Sequence, residues 1–170
     1  MKQFLIIQTA FIGDVILATP VIEKLHRHYP EARIDFLLRK GNEGLLQGHP
    51  HLNEVIIWDK RNKKYNHLFE VIGRIRQVHY DAVINLQRFS SSGFMTFRAR
   101  AKRKIGFDKN PFAFCYHEKL RHEIGNGKHE VDRNLELIAS LTDDGRERPR
   151  LYPSAADVAA ASAYQHEDYV

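Results

Sequence analysis

Alternating apolar strands and amphipathic helices predict an α/β protein: a doubly wound, mainly parallel sheet with helices on both faces. Three observations carry this. The chain opens on an apolar run, Phe4–Gln8, that reads as a strand buried on both sides. A short loop then hands over to a helical pattern, and the same strand-then-helix order recurs along the sequence. Finally, 170 residues with 43% hydrophobic and 28% charged content suit one well-packed domain and leave no long disordered tail.

The elements follow in order. After Phe4–Gln8, residues Val15–Tyr29 read as a helix, with Val15, Ala18, Ile22, Leu25 and Tyr29 near helical spacing. Pro20 lies inside this run and removes a backbone donor, so a bend or an irregular first turn is expected there; Pro30 closes the element. Ile34–Leu38 is a second strand, Asn42–Gln47 a short helix and Glu54–Trp58 a third strand. Tyr65–Val78 carries Leu68, Val71, Ile72 and Ile75 on one stripe. Asp81–Leu86 is a central strand, and the Ser-Ser-Ser-Gly segment after it starts another helix. Arg103–Phe107 is a short strand, and Phe112–Tyr116 is a further strand or a packed loop. Val131–Leu141 is an amphipathic helix with Leu135, Ile138 and Leu141 inward. An Ala-rich stretch follows, and His166–Val170 reads as the first residues of another strand. The organisation expected is a domain over 1–150, with 151–170 as linker and start of a second domain.

Composition narrows the function. No stretch approaches a membrane span and no signal-peptide pattern opens the chain. The lone Cys115 excludes an internal disulfide framework and a thiolate metal cluster, and suits a reducing cytoplasm. Ten histidines show no His-Glu-x-x-His or two-histidine-one-carboxylate spacing, so no metal is expected. The net charge is +5, with basic clusters at Lys60, Arg61, Lys63 and Lys64 and at Arg98–Lys104. Such patches suit a phosphorylated substrate, a polyanion or an anionic membrane. Nucleic acid is not expected, because no DNA- or RNA-binding signature accompanies the charge.

Ligands of open α/β sheets bind outside the carboxyl ends of the strands, which points to the loop after Gln8. Gly13 allows a tight turn there, and Asp14 is either a helix cap or a catalytic base kept ionised by helix amides. Thr9 and the amides of Ala10, Phe11, Ile12 and Gly13 suit an anion- or sugar-binding nest. The segment lacks both Gly-x-Gly-x-x-Gly and a Walker lysine, so neither a dinucleotide nor any other cofactor is expected on this chain. Gln87 and Arg88 follow the central strand and suit sugar hydroxyls or a carboxylate, while Ser90–Ser92 suit helix capping. Arg39 and Lys40 hold the analogous place after the second strand. His129 and Arg133 are four apart at the start of the last amphipathic helix and suit the border of a cleft. Cys115 reads as packing rather than a nucleophile; Tyr65, Phe69 and the aromatics between 107 and 114 read as core, the last group also suiting an apolar patch against lipid or a second domain.

Ile6–Leu25, with its Gly-Asp-x-x-x-x-x-Pro core, resembles the N-terminus of the ADP-heptose:lipopolysaccharide heptosyltransferases, glycosyltransferase family 9. Tyr29–Leu38, Tyr80–Gln87, Lys104–Phe107 and His129–Leu135 are similar to that family in order and spacing. The resemblance implies the N-terminal, acceptor-side half of a GT-B architecture, two Rossmann-like domains facing a cleft. It implies Asp14 as general base for an acceptor hydroxyl that attacks the donor with inversion. It places Thr9–Gly13 at the donor–acceptor junction and the basic residues near Lys60–Lys64 against a phosphorylated or acidic inner-core glycolipid. The nucleotide-sugar would be held by the C-terminal domain, and the protein would work in the cytoplasm, peripheral to the inner membrane. The other reading is a stand-alone α/β binding or regulatory domain with Asp14 only as cap, in which residues from Pro153 onward pack back to complete the sheet. A nucleotide-dependent oxidoreductase stands further off.

Overall fold

The computed structural model describes residues 1–62, 64–123, 125 and 127–162. Its centre is a six-stranded sheet built from β1 (Gln3–Gln8), β2 (Arg33–Arg39), β3 (Glu54–Trp58), β4 (His79–Asn85), β5 (Arg100–Phe107) and β6 (Glu118–Leu120). The strand order is β3-β2-β1-β4-β5-β6 and every pairing is parallel. This is the doubly wound, Rossmann-like order anticipated from the sequence. The winding reverses between β1 and β4, so the ends of these strands, at Gln8 and Asn85, flank the switch point where ligands of such sheets bind.

Successive side chains of a strand point to opposite faces, which splits the core in two. Phe4 and Ile6 of β1 join Ile34, Phe36 and Leu38 of β2 on one face; Leu5 and Ile7 face the other way with Leu37, Ile56 and Val83. The first face is covered by α1 (Ile12–Ile16), α2 (Thr19–His28) and α5 (Glu130–Glu136) through Val15, Val21, Ile22, Leu25, Val131 and Leu135. The second is covered by α3 (Lys64–Ile75) and α4 (Ser90–Arg98), whose Leu68, Ile72, Ile75 and Met95 are buried against it.

The expected Val15–Tyr29 helix is two helices. Pro20 sits in the first turn of α2, where its missing N–H costs nothing, and the Thr19 hydroxyl donates to Ile16 O at 2.8 Å to close α1. The expected Val131–Leu141 helix stops at Glu136, because the amides of Ile138 and Ala139 turn back to carbonyls three residues earlier and overwind the chain. Asn42–Gln47 contracts to one 3₁₀ turn, Glu43–Leu45, and Phe112–Tyr116 is likewise a 3₁₀ turn, Ala113–Cys115, rather than a strand. Edge strand β6 has three residues and no buried side chain, so no apolar pattern announced it.

From Asp143 the chain returns along α2. Buried Lys24 donates to Asp143 O and Gly145 O at 2.6 Å and pairs with the Asp143 carboxylate at 2.8 Å. Arg150 N then donates to Thr19 Oγ1 at 3.0 Å. Residues 153–162, including α6 (Ala155–Ser162), are exposed and join no sheet, contrary to what the stand-alone reading requires. The anticipated strand at 166–170 lies outside the described residues.

Candidate active site

The loop after β1 is held by side chains from four directions. Phe11 N–H donates to Asp14 Oδ2 at 3.1 Å, and Ala10 N–H to Gln8 Oε1 at 3.3 Å. Asn42 Nδ2 donates to Ala10 O at 3.0 Å, and Lys60 Nζ to Thr9 O at 2.6 Å. Two expectations change as a result. The Ala10 and Phe11 amides are committed inside the loop, and Thr9 is buried, so the anticipated nest reduces to the start of α1 at Ile12 and Gly13. Helix α1 also begins earlier than expected, which makes Asp14 its third residue, and five residues carry little dipole.

Asp14 is half-buried rather than enclosed. Phe11, the residue before the helix, has no side-chain acceptor, so Asp14 supplies only the reciprocal half of a capping box. One oxygen therefore caps, and Oδ1 takes no hydrogen bond among the described residues. Beside it Arg39 stacks over the exposed Phe11 ring at 5.1 Å. Cap and candidate base are thus compatible on one carboxylate.

Across the switch point, the β4–α4 loop is fastened by two buried asparagines that the sequence reading did not single out. Asn85 Oδ1 accepts Gln87 N at 2.9 Å, and its Nδ2 donates to Tyr116 Oη at 2.8 Å. Asn110 Nδ2 reaches Gln87 O at 3.0 Å and Phe89 O at 3.1 Å, while its Oδ1 accepts Phe112 N at 2.9 Å. Gly93 and Gly106 are the local signals of this packing. A Cβ on Gly93 would overlap Asn110 Oδ1, and one on Gly106 would stand 2.5 Å from the Tyr116 ring. The fastening brings Gln87 Nε2 onto Gln8 Oε1 and leaves Gln87 Oε1 buried with no partner in the structure. Arg88 stands over the exposed Phe89 ring at 5.7 Å.

The ends of β2 and β3 enclose a cleft of about 550 Å³ lined by Arg39, Lys40, Asn42, Asp59, Lys60 and Arg61. Asp59 organises its floor: it accepts from Lys40 Nζ at 2.9 Å, from Arg61 N at 2.9 Å and from Asn62 N at 3.1 Å. Those bonds, that of Lys40 foremost, hold the Asp59 carboxyl well below the usual carboxylate range. Lys60 packs over Trp58 at 4.7 Å. Lys63 lies outside the described residues, and Lys64 opens α3. His129 serves α5 as its cap, accepting Val131 N at 3.2 Å, and lines a different cavity of about 880 Å³ with Glu23 and Arg146–Arg150. None of residues 9–14 lines that cavity. No group of three His, Cys, Asp or Glu side chains among the described residues is arranged to hold a metal.

A half-free carboxylate and an orphaned amide oxygen at the switch point, with a basic cleft beside them at the ends of β2 and β3, suit a polar, anionic ligand. The family model of glycosyltransferase family 9 (heptosyltransferase) matches residues 68–169.

The chain belongs to glycosyltransferase family 9.

Lipopolysaccharide heptosyltransferase 3 of Escherichia coli is 30% identical over 154 residues, which cover 86% of this chain and 45% of that protein. A family 9 glycosyltransferase structure from Veillonella parvula superposes with a TM-score of 0.84 at 22% identity, over 98% of this chain and 50% of that one. The E. coli heptosyltransferase WaaC with ADP-2-deoxy-2-fluoro heptose gives a TM-score of 0.69 at 22% identity, over 81% of this chain and 47% of that one. These structural likenesses bear on the fold. The family 9 chain described here spans less than half the length of the curated heptosyltransferase it matches.

Proposed function

We propose that this chain is the acceptor-side half of an inverting sugar transferase. The enzyme moves heptose from ADP-heptose to a phosphorylated or acidic lipopolysaccharide inner-core acceptor, with Asp14 as general base. The observation that carries this is the divided role of Asp14: Oδ2 is held by Phe11 N–H while Oδ1 is left to accept a proton. Family membership and the heptosyltransferase relatives support the substrate class.

In this reading the acceptor hydroxyl gives its proton to Asp14 Oδ1 as its oxygen attacks the anomeric carbon. The bond to the diphosphate breaks on the opposite side, and ADP leaves with the electron pair. Gln87, whose buried Oε1 has no partner, turns that oxygen outward to accept from a sugar hydroxyl. Arg39, Lys60 and Arg61 meet the acceptor's negative groups in the basic cleft, and this reading assigns Lys63 and Lys64 to the same groups; Arg88 borders the approach. Residues 1–150 form the acceptor domain, and 151–170 lead into a donor domain that holds the nucleotide-sugar. No metal or other cofactor enters the scheme. A glycolipid acceptor places the work at a membrane surface, on the cytoplasmic side; no helix among the described residues is long and apolar enough to cross one.

The test is Asp14→Asn in the full-length protein, since Asn retains an oxygen for Phe11 N–H. Turnover is expected to fall roughly 10²–10⁴-fold with the melting temperature and nucleotide-sugar affinity unchanged. Near-native turnover would remove the base assignment.

A further inference from the structure

A second surface is unexplained by the site. Phe69 on α3, Phe94 and Phe97 on α4, and Phe112 and Phe114 at the 3₁₀ turn form a connected aromatic face over the second core, and Tyr65 of α3 is likewise exposed. The rings are in contact, Phe69–Phe94 edge-on at 6.5 Å and the rest tilted: Phe94–Phe112 at 5.7 Å, and Phe97–Phe112, Phe97–Phe114 and Phe112–Phe114 each at 5.9 Å. Core packing does not account for them, because Phe69 is 61% exposed, Phe97 40% and Phe114 70%. Scattered exposed apolar residues are ordinary, but a connected patch of large rings marks an interaction surface.

Charge selects the occupant. Between Leu86 and His117 the chain holds Arg88, Arg98, Arg100, Lys104 and Lys109, none of them in an ion pair among the described residues, and its one acid is Asp108. Lys104 lies over the Phe97 ring at 5.8 Å and donates to Phe97 O at 2.7 Å. The acids nearby are few: Glu70 lies 3.5 Å from His67, a pair that is ionic only when the imidazole is protonated, and Asp108 accepts His122 N at 3.0 Å. Aromatic rings flanked by unpaired cations suit the boundary between anionic headgroups and acyl chains. A protein partner of this chemistry would need compensating acids throughout its own apolar surface.

We propose that this α3–α4 aromatic face docks on an anionic lipid bilayer, inserting Phe69, Phe97 and Phe114 between headgroups. This rests on the reading of the chain as a glycolipid-modifying half and names the surface that meets the membrane. Helix α4 follows Phe89, two residues beyond Gln87, so docking brings the mouth of the site to the headgroups where an acceptor sugar emerges.

The test is co-sedimentation of the 170-residue chain with vesicles of equal parts phosphatidylglycerol and phosphatidylethanolamine, and with phosphatidylcholine vesicles. The native chain is expected to bind the anionic vesicles, more weakly as salt rises, and to bind phosphatidylcholine about tenfold less. The F69S/F97S/F114S variant is expected to lose about tenfold or more of anionic-vesicle binding with an unchanged thermal melt, and Phe114→Ser alone to lose part of it. Arg98→Gln with Lys109→Gln should flatten the salt dependence. No binding by the native chain, or undiminished binding by the triple serine variant, would overturn the proposal. So would a native dimer, seen in the ultracentrifuge, that those serines dissociate. The vesicles carry neither acceptor sugar nor nucleotide-sugar, so failure here is separable from failure of the transferase reading, which Asp14→Asn tests alone.

Discussion

Lys60 Nζ donates to the carbonyl oxygen of Thr9 at 2.6 Å, tying the basic cleft to the loop that carries Asp14. A residue that reads from sequence as a substrate cation is also a strut for the candidate catalytic loop. Lys60→Met is therefore expected to raise the acceptor KM by about tenfold and lower kcat with it, because a charge-assisted bond is lost. Lys60→Arg should recover part of both. Steady-state kinetics on the full-length enzyme decide this, and unchanged constants would leave Lys60 without either role.

Asp14→Ala separates cap from base. It removes the acceptor for Phe11 N–H, so stability should fall by about 1 kcal/mol, whereas Asp14→Asn should hold it. Denaturant melts of both variants provide the comparison. Equal stability losses would mean that Asn does not replace the cap.

Gly93→Ala and Gly106→Ala should each destabilise by about 1–3 kcal/mol despite adding only a methyl. Asn110 is pinned at both ends by Gln87, Phe89 and Phe112, so it has nowhere to retreat from a Cβ at Gly93. The helical preference for Ala at Gly93, about 1 kcal/mol, is too small to offset the overlap. Chemical denaturation measures it.

Lys24→Met should cost about 2–4 kcal/mol. It leaves two carbonyls, of Asp143 and Gly145, without their donor and frees the segment that returns along α2. Proteolysis between Asp143 and Arg150 should accelerate in step.

Stability should also fall on acidification in two windows. Burial lowers the His49 imidazole to about 4, with Glu23 opposing and His51 and His26 adding to the shift. The native state therefore binds fewer protons than the unfolded chain between about 6.5 and 4, and stability drains as pH falls through that range. Asp143, held at about 2 by Lys24 and the Gly145 amide, loses its contribution only further down, as pH falls below the ordinary carboxylate range. A melt series from pH 7 to pH 4 on His49→Gln should show a shallower slope than the native chain.

Much of this was legible in the residue order. Continuous apolar runs announced β1, β2 and β4, since a strand buried on both faces has no polar alternation to hide it, and the half-buried β3 was legible from Val55–Trp58. The Gly13–Asp14 junction was legible because a strand-to-helix loop leaves few places for a carboxylate. Edge strand β6 was not, because three half-exposed residues pair through their backbone and leave no hydrophobic pattern. Nor were Asn42, Asn85 and Asn110, whose partners lie 32, 31 and 23 residues away. Lys60 was read for its charge, while its bond to Thr9 spans 51 residues.

The sequence alone determined the alternation of elements, the two-faced burial and the position of the candidate base, because these depend on local periodicity and on neighbours along the chain. The tertiary structure decided which oxygen of Asp14 is occupied, which loop amides are free and which rings reach solvent together. Those depend on groups that only the folded sheet brings within hydrogen-bonding or van der Waals distance, and no spacing along the chain encodes that distance.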